Sequence, residues 1–161
     1  MKPFFAHGKL LISAEYMVLH GSQALALPLH KGQILQRLRS EDRTVFSWDA
    51  YEADNLWFSA KFNSANLRII ETSDQEKAED LRFLIRSIIE MDPSFQKELF
   101  TWNVETTLEF SPSWGFGSSS TLIALMAEWA EINPLDLHFR VSDGSGYDVA
   151  CAIAERPILY K

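Results

Sequence analysis

The stretch SPSWGFGSSSTLIALMAEWA, Ser111 to Ala130, sets two glycines and three consecutive serines directly ahead of a strongly apolar segment. Leu122, Leu125, Met126 and Trp129 recur at the i, i+3, i+4, i+7 spacing of one helical face, so a helix is expected from about Ser119 to Ala130. Packing of that face fixes the helix, and with it the groups at its N-terminus. Gly115 and Gly117 carry no side chain to block a ligand's approach to the backbone. Ser118, Ser119 and Ser120 fall at the cap and first turn, where N–H groups lack intrahelical partners and the helix dipole favours negative charge. Two readings stand side by side. Serine is a preferred N-cap, and one serine would suffice for that. Three serines after a Gly-x-Gly exceed the need and suit an anion, although no Gly-Lys-Ser/Thr follows as a Walker A loop would require.

The surrounding sequence bounds the choice. The chain has 161 residues, 47% of them hydrophobic and 23% charged, the composition of a folded globular chain with a sizeable core. Its formal net charge of −7 disfavours a nucleic-acid partner. Gln36 to Arg39 is the nearest thing to a basic run, and a small anionic ligand is still compatible with a helix N-terminus. Cys151 is the single cysteine, so no disulfide forms within the chain. Glu15 interrupts the one apolar segment near the start, and no run approaches a membrane span. No membrane partner is expected, and the expected location is cytoplasmic.

Strand-like segments are expected at Lys9 to Ser13, Ala24 to Leu27, about Gln33–Leu38 and Thr44–Trp48, with His20-Gly21-Ser22 as a turn. Leu56, Phe58, Ala60 and Phe62 alternate with polar positions, and Asn66 to Thr72 reads as the hairpin partner. Ala78, Leu81, Ile85, Ile88 and Ile89 then share a helical face that Asp92-Pro93 ends. From Phe100 to Phe110 strict alternation returns, with Trp102, Val104, Thr106, Leu108 and Phe110 on one side. A last helix is expected from about Ser145 to Ala154. The order of antiparallel-type strands followed by helix, strand, helix, helix gives an α+β class, and no linker or repeat divides residues 1–161 into more than one domain.

Two more stretches carry ionisable groups in unusual company. In AHGKLLISAEYMVLHGSQALALPL, Ala6 to Leu29, Lys9 opens a strand and Glu15 lies among apolar residues. In DGSGYDVACAIAERPILY, Asp143 to Tyr160, the helix is apolar almost all round except for Asp148 in its first turn. An acid on a buried helix needs a partner or a chemical role. It also compensates a helix dipole in any protein, and both readings stay open on these residues alone.

Taken in order, the three stretches resemble the N-terminal half of the GHMP kinases. His7-Gly8-Lys9 through Glu15-Tyr16 to His20-Gly21 resembles the family's first motif; Pro112-Ser113-Trp114-Gly115-Phe116-Gly117-Ser118-Ser119-Ser120 its phosphate loop; and Ser145-Gly146-Tyr147-Asp148 its later Ser-Gly-x-Asp motif. The Gly-Tyr-Asp-Val-Ala form is closest to a bacterial branch with a Gly-Tyr-Asp-Ile-Ala signature. The resemblance implies the left-handed βαβ domain shared with the second domain of ribosomal protein S5 (ribosomal protein S5 domain 2-like), and ATP- and Mg2+-dependent phosphoryl transfer to a small metabolite. The Glu-Tyr-x-Val-Leu-His-Gly run leans towards mevalonate or phosphomevalonate.

By the same resemblance, Pro112, Gly115, Phe116, Gly117, Ser118, Ser119 and Ser120 hold the nucleotide, with the Ser119 hydroxyl on Mg2+. Asp148 takes the proton of the substrate hydroxyl, Lys9 stabilises charge beside it, and Glu15, Tyr16 and Gly146 lie on the substrate side. Three departures stand out. The segment Asn133 to Ser142 has no glutamate and looks too short for the helix that carries the family's metal-binding acid, leaving Asp136, Asp143 and Glu128 as substitutes. Trp114 replaces a small loop residue and is expected to cover the core. The family's C-terminal domain, with its further glycine-rich loop, has no counterpart before Lys161, so a missing second half and a homodimer formed through the uncovered surface are expected. The rival expectation is a nucleotide-binding or structural module without turnover of its own.

Overall fold

Apolar–polar alternation accounts for most of the sheet seen in the computed structural model, which describes residues 2–13 and 23–160. Seven strands form it: β1 (Phe4–Leu11), β2 (Ala24–Arg39), β3 (Val45–Glu52), β4 (Asn55–Asn63), β5 (Ile69–Thr72), β6 (Trp102–Leu108) and β7 (Ile158–Tyr160). Among the described residues five α-helices join them: α1 (Gln75–Met91), α2 (Phe95–Leu99), α3 (Ser118–Trp129), α4 (Pro134–Val141) and α5 (Tyr147–Ala152). In β6 the side chains of Val104, Thr106 and Leu108 are buried while Glu105 and Thr107 between them are not, as the alternation requires.

The strand order is β1-β2-β6-β3-β4-β5, with β7 pairing to the start of β2. All pairings are antiparallel except β3 with β6, which run parallel. The one parallel pair adds to the antiparallel-type strands that the alternation suggested. The chain leaves β5, passes through α1 and α2, and re-enters beside β3, the long crossover that a parallel pair needs. The two expected segments at Ala24–Leu27 and Gln33–Leu38 are one 16-residue strand. Its pairing with β1 slips between His7 and Lys9, near Pro28, whose missing N–H cannot extend an even ladder. Lys9 therefore lies well inside β1 rather than opening it.

Leu35, Phe46, Trp48 and Phe62 of the sheet meet Ile85 and Ile88 of α1, Leu125 and Met126 of α3, and Leu137 of α4 in one core. A smaller cluster of Ala24, Ala26, Tyr147 and Cys151 seats α5 on β2. The helix α4 falls in a segment where periodicity had suggested none. Asn133 caps it by accepting from the Leu135 and Asp136 amides, and Pro134 fills its first turn, where a missing N–H costs nothing. Among the described residues no helix is long and apolar enough to cross a membrane.

Candidate active site

The mouth of α3 differs from the serine-capped form. Gly117, in the left-handed region at φ 85°, occupies the cap position, and no side chain caps the helix. Ser120 instead turns back to donate to the Gly117 carbonyl at 2.8 Å. The Thr121 hydroxyl lies between the Ser118 carbonyl at 2.9 Å and the side-chain amide of the buried Gln33 of β2 at 2.6 Å. Ser118, Ser119 and Ser120 are thus the first three helical residues, whose N–H groups have no acceptor within the helix.

The loop is pinned from below. The Lys9 amide donates to the Phe116 carbonyl at 2.9 Å, and a Cβ on Gly117 would stand 2.5 Å from the Ser120 hydroxyl and 3.2 Å from Lys9 Cγ. Phe116 packs edge-on against Phe110, with ring centroids 5.7 Å apart. Trp114 meets Phe116 in the same way but is 57% exposed, so it does not cover the core.

The second half of the site is the start of α5. His138 of α4 contacts the Gly144 carbonyl through Nε2 at 3.0 Å; since a carbonyl only accepts, Nε2 carries the proton. Tyr160 of β7 donates to the Ser145 carbonyl at 2.6 Å. Gly146 caps α5 at φ 83°, where a Cβ would press on Leu135 and Tyr160. With its turn held from both sides, α5 directs Asp148 at Lys9. The Lys9 Nζ lies 3.2 Å from Asp148 Oδ1, the side chains being 11% and 36% exposed. This is an ion contact without alignment: Oδ1 is buried and takes part in no hydrogen bond of good geometry. The aligned N–H of Lys9 goes to the Tyr147 hydroxyl at 2.9 Å. Burial pulls the Lys9 pKa down, but the Tyr147 hydrogen bond and the Asp148 charge outweigh it and the value is raised. Lys9 is accordingly an ammonium at neutral pH. Burial is also the main cause raising the Tyr147 pKa, keeping the phenol neutral.

Both halves open on one cleft of about 640 Å³. Ser118–Ser120, Asp148 and Pro112 supply polar and loop atoms to it, while Trp57 of β4 and Phe83 and Lys77 of α1 line it from across the sheet. Trp57 Nε1 is buried there without a hydrogen-bond partner. Lys9, Gly115, Phe116, Gly117 and Gly146 do not line the cleft; they shape the backbone or stand behind Asp148. Glu15 and Tyr16 lie outside the described residues. Asp136 and Asp143 are exposed and line no part of the cleft, and Glu128 sits about 13 Å along α3 from Ser119. Among the described residues no three His, Cys, Asp or Glu side chains converge as a metal cluster. The sequence reading passed over Tyr147, although a phenol in an otherwise apolar helix needs a polar partner. It also passed over His138 and the Gln33–Thr121 bond, for which spacing offered no sign.

With that geometry in place, the fold can be matched. No protein-family model and no curated protein matches the chain. Among solved structures, it is similar to the phosphomevalonate kinase of Streptococcus pneumoniae in complex with phosphomevalonate and AMPPNP, at TM-score 0.69 and 17% identity over 99% of this chain and 49% of that one. It is similar to the Lin0012 protein of Listeria innocua, at TM-score 0.66 and 19% identity over 99% of this chain and 48% of that one. A mevalonate kinase structure aligns at TM-score 0.60 and 9% identity, over 93% and 48%. The fold is therefore the α+β fold of half a GHMP-type kinase, the class the motifs implied. The chain spans about half the length of these structures.

Proposed function

We propose that this chain is the nucleotide-binding part of a GHMP-type kinase, which transfers a phosphoryl group from Mg·ATP to the hydroxyl or phosphate of a small metabolite, mevalonate or phosphomevalonate being the candidates. The observation that carries the reading is the approach of Lys9 to Asp148 beside an uncapped helix N-terminus. The Ser118–Ser120 amides receive the phosphates, where the dipole of α3 favours their charge. Asp148 accepts the proton of the attacking hydroxyl, and Lys9 offsets charge as it builds. Ser119, exposed on the first turn, would offer its hydroxyl to a Mg2+ ion bound with the nucleotide, which would there supply positive charge against the phosphates. The AMPPNP bound in the pneumococcal neighbour supports ATP as donor.

Ser119→Asp tests this without weakening the helix, because an acid in the first turn suits the dipole while repelling phosphate. Titration calorimetry with Mg·AMPPNP should show binding to the wild type and none to the variant. Equal binding by both would sink the phosphate role of the loop. A second reading is a nucleotide-binding module without turnover of its own. It predicts the same binding with no phosphorylation of mevalonate or phosphomevalonate.

A further inference from the structure

Tyr147 fills the variable position of its motif, and nothing above gives its hydroxyl a role. We infer that the Tyr147 hydroxyl is a positioning residue of the site, the acceptor that holds the Lys9 ammonium behind Asp148. Three observations carry it. Lys9 is buried on β1, and its aligned hydrogen bond is the 2.9 Å bond to Tyr147, not the contact with Asp148. The ammonium also lies 5.0 Å from the centroid of the Tyr147 ring, which with the 2.9 Å bond places it at the hydroxyl end of the ring and not over its face. The ring itself is fixed in the small core formed with Ala24, Ala26 and Cys151. A hydroxyl that accepts from Lys9 turns its own proton away from the ammonium. The consequence is a division of labour. Tyr147 fixes where the positive charge sits, so the carboxylate need not spend a well-aligned lone pair on Lys9 and keeps it for a proton from the cleft. This role rests on the phosphoryl-transfer reading; the hydrogen bond it depends on can be measured without it.

Ammonium-selective 1H–15N correlation spectra of the chain at pH 6 provide the test. The wild type should show a slowly exchanging Lys9 ammonium cross-peak, assigned by its loss in Lys9→Arg. Tyr147→Phe, which keeps the ring, should lose that peak, and Asp148→Asn should retain it. Retention in Tyr147→Phe, or no such peak in the wild type, overturns the inference. Should the Phe variant misfold, Lys9→Met reports the same bond from the other side. The Tyr147 Cζ resonance should then shift, and an unmoved resonance counts against the bond. Failure of the phosphoryl-transfer reading would appear separately, as absent Mg·AMPPNP binding with the ammonium pattern intact.

Discussion

Lys9 and Asp148 come from opposite ends of the chain, yet Nζ and Oδ1 stand 3.2 Å apart. Removing the carboxylate leaves a largely buried ammonium with Tyr147 alone. Breaking a fully buried pair costs about 3–5 kcal/mol. Here the acid is 36% exposed and screened, so Asp148→Asn should cost about 1–2 kcal/mol by denaturant unfolding. The pH dependence has a definite sign. Because the folded Lys9 pKa is raised above its ordinary 10.5, its contribution is complete below that value and is lost as pH rises through the higher folded one. Wild-type stability should therefore decline through that alkaline window, and the Asn variant should decline less. Parallel curves would show that the pair adds nothing. On the phosphoryl-transfer reading proposed above, the same variant should bind nucleotide normally while kcat falls by ~10²–10⁴, the usual contribution of a positioned base. A wild-type rate would remove Asp148 from the mechanism.

Gly117→Ala should be costly although it adds one methyl. The position needs φ 85°, and the new Cβ would press on Ser120 Oγ and Lys9 Cγ. A strained left-handed alanine costs of order 1–3 kcal/mol. Gly115→Ala isolates the backbone term, since its Cβ would meet nothing within 4 Å at a similar φ. The prediction is a larger loss of melting temperature at Gly117 than at Gly115. Equal losses would mean that the contact with Lys9 is loose.

The comparison of sequence with structure divides along physical lines. Local patterns were legible: the alternation of β4 and β6, the helical face of α1, the apolar helix α3, and three motifs whose order pointed to the fold. Longer-range facts were not. The parallel β3–β6 pairing depends on a crossover path, and periodicity is the same in parallel and antiparallel strands. α4 was missed because a segment of eight residues carries little periodicity, although Asn133-Pro134 announces its start. Tyr147 was counted with the apolar face of α5, because nothing in the spacing says that Lys9 lies within reach of its hydroxyl.

The outward face of β1, β2 and β7 carries a row of apolar side chains. Ile12 donates its amide to Leu25, Leu25 pairs with Leu159, and Leu10 pairs with Leu27 in the adjoining row. Leu10, Ile12 and Leu159 are 41%, 52% and 69% exposed. Such a patch promotes association. The chain should self-associate in sedimentation velocity, and Leu159→Lys should shift it towards monomer without lowering its melting temperature. A wild type that is monomeric at high concentration would show the patch to be tolerated.

Cys151 offers a clock for the docking of α5. Its sulfur is buried, and burial first, then the Asp148 charge, pushes the thiol up to about 11. At pH 8 the native thiolate is scarce, about a hundredfold scarcer than in the unfolded chain, and no reagent reaches it directly. Alkylation must therefore wait for α5 to lift from Ala24, Ala26 and Tyr147. The labelling rate then measures the population of the open form. If Lys9 and Asp148 hold the helix down, Asp148→Asn should speed labelling in proportion to the stability lost, about 5–30-fold for about 1–2 kcal/mol. Iodoacetamide labelling followed by intact mass at several reagent concentrations makes the measurement. A wild-type thiol that reacts as fast as the unfolded chain would show that α5 is undocked in solution. An unchanged rate in the Asn variant would show that the small apolar core, and not the ion contact, seats the helix.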